Sequence, residues 1–291
     1  MTSDESTESA LDESTPGRGP LVVAGVVGLA LLVALVSLFV GRNVQPSAPT
    51  TTLPTTLYPL GTPSVAEPSG FAPPAPSALP CYTLSYVTDF TGGQLPTGWT
   101  AFAGVPGGDP GGQFGPHHVF VSGGDLLLAT YRDSSYRGRW VTGGLCQCGI
   151  SHVYGAYFVR SRLTGPGPNE VQLLWPANDH WPPEIDFNET PTSIGTSATV
   201  HWSVANHIQQ WFSPHTNMLA WHTWGVIWSA HQIIYTLDGH EWGFIASTAE
   251  IPKVPMRLDL EQRTMCTTHL QCPQYPTDMQ VDWVAEYQPV G

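Results

Sequence analysis

The segment "HTWGVIWSAHQIIYTLDGHEWGFI" (residues 222–245) decides the fold class. Residues 222–230 and the two halves of 231–245 are short runs of β-branched and aromatic residues, which are typical of strands. Asp238 and Gly239 separate the last two runs and supply the left-handed residues of a tight hairpin turn. The segment therefore predicts a strand followed by a β-hairpin.

Similar runs recur through residues 81–291. They lie at 154–163 (YGAYFVRSRL), 171–175 (VQLLW), 197–204 (SATVHWSV) and 279–287 (MQVDWVAEY). No long stretch of this part has helical period, and the strands do not alternate with helices. Residues 81–291 therefore predict an all-β domain, an antiparallel β-sandwich or jelly roll.

The segment "WPPEIDFNE" (residues 181–189) carries three acids, Glu184, Asp186 and Glu189, in six positions. Ile185 and Phe187 alternate with the first two acids, so a strand would turn its apolar residues to the core and its acids to a groove. On a regular strand Glu189 would face the other way. A β-bulge between Asp186 and Glu189 would restore its parity, and the spacing predicts one.

Two carboxyl groups about 5 Å apart are what a retaining glycosidase needs, one as nucleophile and one as proton donor. A shorter acid between them can hydrogen-bond the nucleophile, and crowding of negative charge raises the pKa of the group that carries the proton. Taken by themselves, three acids on a strand also fit a solvated face or a calcium site.

Several motifs in chain order resemble glycoside hydrolase family 16. WPPEIDFNE resembles the bulged E-x-D-x-x-E signature of its laminarinase-like members. YGAYFVRSRL resembles the family's Y-G-x-Y-E-x-R-x-K strand, although Phe158 replaces the usual acid. LLW, WHTWGVIWSAHQIIYTLDGHEW, PMRL and MQVDWVAEYQ are similar to later family segments. The resemblance covers most of residues 136–288 and implies a β-jelly roll with a concave cleft.

This resemblance implies a role for each acid: Glu184 as nucleophile, Glu189 as acid/base and Asp186 as the assisting acid. Trp175 and Trp181 match aromatic positions that line sugar subsites.

His201 matches a histidine near the acid/base, and Asp282 corresponds to a structural calcium site found in some members. Trp202 is a further candidate for substrate binding because it flanks the acids in sequence. Trp224, Trp228 and Trp283 are expected in the core, the commoner place for a large aromatic residue.

The sequence therefore predicts a retaining endo-type glycoside hydrolase that acts on a β-linked polysaccharide, with a β-1,3-glucan favoured. Two alternatives stay open, a cell-wall transglycosylase of the same fold and a non-catalytic glycan-binding module. No cofactor is expected beyond the structural calcium, because the chain has no H-E-x-x-H motif, Walker loop or dinucleotide fingerprint. We expect a monomer.

The N-terminal part has three segments of different composition. Residues 1–20 are acidic and lack an apolar cluster, which predicts a disordered tail. Residues 21–40 form an uncharged apolar run long enough to span a bilayer, and predict a transmembrane signal anchor. Residues 43–80 are rich in Pro, Thr and Ser, and predict an extended linker that holds an extracellular domain away from the membrane. The alternative is secretion after cleavage of the apolar segment.

Charge and cysteine content narrow the function further. The formal net charge is −13, which argues against nucleic acid and anionic lipid surfaces as partners. Five cysteines in an exported domain favour disulfides, and Cys266 with Cys272 closes a short loop. Cys81 is left to pair with Cys146 or Cys148, and a zinc site is the alternative use of these thiols.

Overall fold

A computed structural model describes residues 57–190, 195–213, 215–266 and 272–291. Within these residues the fold is two antiparallel β-sheets of seven and nine strands, with a separate two-stranded ribbon. The site described below lies on the seven-stranded sheet, called the site sheet. The nine-stranded sheet is called the outer sheet. This architecture confirms the predicted all-β class.

The strands are numbered in chain order. The site sheet has the order β13-β12-β11-β10-β17-β8-β4, with β4 Thr100–Ala101, β8 Gly144–Cys146, β10 Asn169–Pro176, β11 Glu184–Glu189, β12 Thr196–Trp202, β13 His207–Ser213 and β17 Met256–Arg263. The outer sheet has the order β16-β15-β14-β9-β18-β6-β5, with β3 added to β18 and β7 to β6. Its strands are β3 Tyr82–Thr88, β5 Val119–Ser122, β6 Asp125–Asp133, β7 Arg139–Val141, β9 Gly155–Leu163, β14 His222–Trp228, β15 Ile233–Leu237, β16 His240–Ile245 and β18 Thr277–Pro289. The ribbon pairs β1 Thr62–Pro63 with β2 Phe71–Ala72.

The main core lies between the two sheets. Alternation along each strand turns one row of apolar side chains inward, such as Ile185 and Phe187 of β11 and Leu258 of β17. Trp224 and Trp228 of β14 are fully buried in the same core. Trp283 is also fully buried, which confirms the three predicted core tryptophans, but it belongs to a second cluster on the other face of the outer sheet.

That second cluster is covered by residues 57–80, called the strap. The strap corrects the predicted boundary of the linker, which was placed at residues 43–80. Leu79 is buried there against Phe158 of β9 and Tyr287 of β18. Residues 43–56 lie outside the described residues. The Pro-rich composition concealed this packing because the strap has little strand structure and scatters its apolar residues without a period.

Hydrogen bonds hold the strap to the outer sheet. The indole N–H of Trp283 donates to the carbonyl of Phe71 at 2.9 Å, and the hydroxyl of Tyr287 donates to the carbonyl of Ala75 at 2.9 Å. Arg160 of β9 donates through Nε to Ser69 Oγ at 2.6 Å, and its guanidinium lies 4.4 Å from the centre of the Phe71 ring. The strap is therefore part of the folded domain.

The segment that predicted the fold forms three antiparallel strands, β14, β15 and β16. Asp238 and Gly239 occupy the turn of the hairpin with φ values of 49° and 78°. The predicted hairpin is confirmed. The predicted strands at 154–163, 171–175, 197–204 and 279–287 also correspond to observed strands, β9, β10, β12 and β18, with small shifts at their ends.

The cysteines follow the prediction in part. Cys266 and Cys272 form the expected disulfide. Cys146 bonds Cys148, whereas the sequence left these two as alternative partners of Cys81. Cys81 is exposed and unbonded. The pairing is local because Cys146 ends β8 and the chain turns back immediately after it.

In the described part of the chain, no helix has the length and apolarity needed to cross a bilayer. The predicted anchor at 21–40 and the predicted tail at 1–20 both lie outside it.

Candidate active site

Strand β11 carries the three acids and has the predicted bulge. Against β12, Asp186 is opposite Thr199 and Glu189 is opposite Ser197, so three steps on β11 match two on β12. The register against β10 shifts at the same place. Because the bulge adds one residue, Glu189 returns to the face that carries Glu184 and Asp186.

The extra residue is accommodated on the core side. Phe187 and Asn188 are both fully buried, and the amide oxygen of Asn188 accepts a hydrogen bond from Thr196 Oγ1 at 2.5 Å. Thr196 thus satisfies the oxygen of this buried amide, whereas its Nδ2 has no hydrogen-bond partner among the described residues. This packing fixes the direction in which Glu189 leaves the strand.

Glu184 is 8% exposed and has one indole donor. Nε1 of Trp181 donates to its Oε2 at 2.6 Å. Burial and the charge of Asp186 raise the pKa of Glu184, while the Trp181 N–H and Arg263 oppose this shift.

His201 of β12 stands opposite Glu184 and contacts the middle acid. Its Nε2 lies 3.4 Å from Asp186 Oδ2, and its Nδ1 lies 2.8 Å from Asn206 Oδ1. Burial lowers the pKa of His201, but the two acceptors and the nearby carboxylates outweigh it and raise the pKa overall. The imidazolium form therefore has an acceptor at each ring nitrogen.

Glu189 is the most accessible of the three acids, with 32% of its side chain exposed. Burial and the charge of Asp186 raise its pKa to about 7. NH1 of Arg263, the last residue of β17, lies 3.9 Å from Glu189 Oε1. A carboxyl group that titrates near neutral pH can both give and take a proton.

These groups line one cleft of about 440 Å³. The cleft contains all three acids together with Trp175, Trp181, His201, Arg263, Gly107 and Gly108. Trp181 is 43% exposed, and its ring lies 5.8 Å from the ring of His201 between centroids. An exposed indole beside carboxylates offers an apolar face to a sugar ring and leaves its N–H with a partner.

Trp202 is not in this cleft, which corrects its assignment as a substrate-binding residue. It packs against the main core and meets His207 edge to face, with 5.7 Å between ring centroids. The reason is strand parity. Because Trp202 follows His201 directly on β12, it points to the opposite face.

Arg263 and the two glycines were not predicted from the sequence. Gly108, at φ +74°, approaches the guanidinium so closely that a Cβ there would lie 3.5 Å from Arg263 NH1. A signal for Arg263 exists in "MRLDLEQR" (256–263), where charged residues alternate with apolar ones and predict a charged strand face. The position of that face beside β11 depends on sheet order, which the segment does not encode.

Asp282 does not join the cleft, because it lies on β18 of the outer sheet. It is fully buried and accepts a hydrogen bond from the backbone N–H of Ser69 at 3.2 Å. Its assignment to a structural calcium site stays a prediction.

Among the described residues, one group has His and carboxylate ligand atoms that all lie within 4.8 Å, namely Glu184, Asp186 and His201. These atoms already engage Trp181, Asn206 and one another.

Neither protein-family models nor curated protein sequences match this chain. Solved structures do match. SCLam, described as a non-specific endo-β-1,3(4)-glucanase of family GH16, has a TM-score of 0.61 and 20% identity over 74% of this chain and 98% of its own. LamA of Zobellia galactanivorans, in complex with laminaritriose and laminaritetraose, has a TM-score of 0.62 and 20% identity over 71% and 99%.

The laminarinase catalytic domain of Thermotoga maritima has a TM-score of 0.61 and 17% identity over 72% of this chain and 99% of its own. At these identities the likeness shows the fold alone. The described domain therefore has the jelly-roll-like fold of family 16 glucanases.

Proposed function

We propose that the chain is a retaining endo-type glycoside hydrolase that cleaves a β-linked polysaccharide, with a β-1,3-glucan favoured. The observation that carries this proposal is the bulge in β11, which brings Glu189 onto the face of Glu184 and Asp186 inside one cleft. The endo-glucanases and laminarinases that share the fold support the choice of substrate class.

In the first step, Glu184 attacks the anomeric carbon as the bond to the leaving oxygen breaks, and Glu189 gives its proton to that oxygen. The Trp181 N–H stabilises the ionised carboxylate of Glu184. Asp186 is the assisting acid beside the nucleophile. His201 Nε2 lies 3.4 Å from Asp186 Oδ2 and orients this carboxyl group.

In the second step, Glu189 takes a proton from water, and the resulting nucleophile attacks the anomeric carbon and releases Glu184. A pKa of about 7 suits Glu189 to both directions of transfer. The product keeps the configuration of the substrate because two inversions occur at the same carbon.

The test uses the full-length protein with laminarin, lichenan, agarose and carrageenan, and reducing ends are counted over time. We expect cleavage of the β-glucans, with retention seen in the anomeric proton spectrum of the first product. Glu184→Gln should abolish turnover and leave thermal unfolding unchanged. Unaltered hydrolysis by this variant would overturn the assignment. Longer products at high acceptor concentration would identify a transglycosylase, and binding without cleavage would identify a glycan-binding module.

We also propose that the domain is held outside the cell by residues 21–40 as a single-pass anchor. The uncharged apolar run and the disulfides support this placement. Protease added to intact cells should digest the domain, and the protein should stay in the membrane fraction. Release of the domain into the medium would instead indicate cleavage after the apolar segment.

A further inference from the structure

Arg263 is the cleft residue that the double-displacement chemistry does not use. Its guanidinium lies beside the proton donor, with NH1 3.9 Å from Glu189 Oε1, and 12% of its side chain is exposed. Of the described residues that line the cleft, it is the only arginine or lysine. Burying a cation costs desolvation free energy unless well-placed partners compensate for it, so the partners of Arg263 are informative.

Both the side chain and the backbone of Arg263 have hydrogen-bond partners. Nε donates to Glu261 Oε2 at 2.6 Å, and Glu261 is itself only 8% exposed. The backbone N–H of Arg263 donates to Asn169 Oδ1 at 3.0 Å. The guanidinium therefore starts from an anchored strand end and is oriented by a buried carboxylate.

The chain beyond Arg263 is tied down as well. Asp109 is fully buried, and its Oδ2 accepts from Thr264 Oγ1 at 3.1 Å and from the backbone N–H of Met265 at 3.0 Å. This links the end of β17 to the loop that carries Gly107 and Gly108, which meets the guanidinium. In these surroundings NH1 lies 3.9 Å from Glu189 Oε1.

We propose that Arg263 is a positioning residue that holds the Glu189 carboxyl group in the cleft and sets its proton affinity. The proposal rests on the proposed function, in which Glu189 is the acid/base. Opposite charge favours the ionised carboxylate, so Arg263 opposes the effects of burial and of the neighbouring acids.

The charged groups that face Glu189 come from three strands. Strand β11 contributes Glu184 and Asp186, β12 contributes His201, and β17 contributes Glu261 and Arg263. Burial, Asp186 and Glu261 raise the pKa of Glu189, and Arg263 and His201 lower it. Loss of Arg263 leaves His201 as the remaining cation and should move Glu189 toward a higher pKa.

The test compares Arg263→Met, Arg263→Gln and Arg263→Lys in the full-length protein, with laminarin as substrate. In the two neutral variants the alkaline limb of the pH–rate profile should move up by at least about one pH unit, the smaller end of an opposite-charge effect. We expect kcat to fall about 10-fold to 100-fold, because Glu189 loses its orientation, with KM nearly unchanged. Arg263→Lys should restore most of both effects.

Arg257→Met is the matched control, since Arg257 lies on the same face of β17 and pairs with Asp259 and Asp179 instead of Glu189. Its alkaline limb should stay at the wild-type position. An unmoved limb in both neutral variants of Arg263 would overturn the proposal. A rise in KM alone would also overturn it, because the guanidinium would then serve substrate binding.

A second measurement does not depend on turnover. The Glu189 carboxyl carbon is followed by NMR against pH in protein labelled at glutamate side chains, and its signal is assigned by its loss in Glu189→Gln. The midpoint should rise in Arg263→Met and stay near wild type in Arg263→Lys. If wild type cleaves none of the glycans, the proposed function fails, and this titration still decides the role of Arg263. An equal midpoint in wild type and Arg263→Met would reject it.

Discussion

Two strands place an acid at a bulge, one in each sheet, and the two acids have different surroundings. In β11 the register shifts between Asp186 and Glu189, and Glu189 emerges into an open cleft. In β18 the register against β9 shifts between Val281 and Trp283, and Asp282 emerges under the strap. The same backbone irregularity turns an acid into a cleft where the face is open and toward the strap where the face is covered.

A bulge sets only the direction in which a side chain leaves the strand, and the surroundings decide what that side chain contacts. Glu189 keeps 32% of its side chain exposed and lies near the titratable side chains of Asp186, Glu261 and His201. Asp282 is fully buried and accepts a backbone N–H from Ser69. Substitution of the first should therefore change rate without stability, and substitution of the second should change stability without rate.

The largest effect should come from Glu189→Gln. We expect kcat on laminarin to fall roughly 10²-fold to 10⁴-fold, the usual contribution of a positioned general acid or base. An aryl β-glycoside with an acidic phenol should lose less in its first step, because such a leaving group needs no proton. Both are measured by steady-state kinetics.

Thermal unfolding provides the matched reading for Glu189→Gln. The midpoint should stay at the wild-type value, since the side chain lies at the cleft surface. Equal losses on both substrates, or a large drop in the midpoint, would remove Glu189 from the role of proton donor.

The parity of these residues shows how much of the site the sequence could predict. Counting along "WPPEIDFNE" predicts the bulge, because apolar and acidic residues must keep to opposite faces. The same count places Trp202 and His201 on opposite faces of the sheet. The prediction that Trp202 binds substrate did not take this alternation into account. Both inferences use neighbours on one strand, where the period is fixed.

The contacts of Arg263 and of the strap could not be predicted from the sequence. Arg263 reaches Glu189 only because β17 lies two strands from β11 in the sheet, and that order follows from packing of the whole domain. Residues 57–80 bind through single residues, such as Phe71 and Leu79, that fit outward-facing aromatics of β9 and β18. Neither contact produces a local period in the chain.

A second prediction concerns Glu286, a buried acid of β18 that has no role in the cleft. Burial raises its pKa from 4.5 to about 8, with the nearby Gln147 side chain acting against the shift. Between these values the folded state binds more protons than the unfolded state, so the free energy of unfolding falls as pH rises. One pKa unit corresponds to about 1.4 kcal/mol, so the loss across this window should be on the order of a few kcal/mol.

Urea unfolding of wild type and Glu286→Gln at a series of pH values from 5 to about 9 measures this contribution. The amide is neutral at every pH, so the variant should lose less stability as pH rises. Parallel curves for the two proteins would show that Glu286 is ionised in the folded state throughout.

The smallest effect should come from Asp282, and it completes the comparison between the two bulges. Asp282→Ala leaves the Ser69 N–H without its acceptor and removes a negative charge near Arg160. We expect a loss of about 1–3 kcal/mol in the free energy of unfolding, the cost of one unsatisfied buried group. Asp282→Asn keeps an acceptor oxygen and should lose less.

Urea unfolding in a chelating buffer measures the stability of both variants. Repeating the measurement with calcium tests the separate prediction of a calcium site. Turnover of laminarin should match wild type in both variants, because the side chain lies on the outer sheet. A loss of rate with unchanged stability would mean that this bulge, too, serves the cleft.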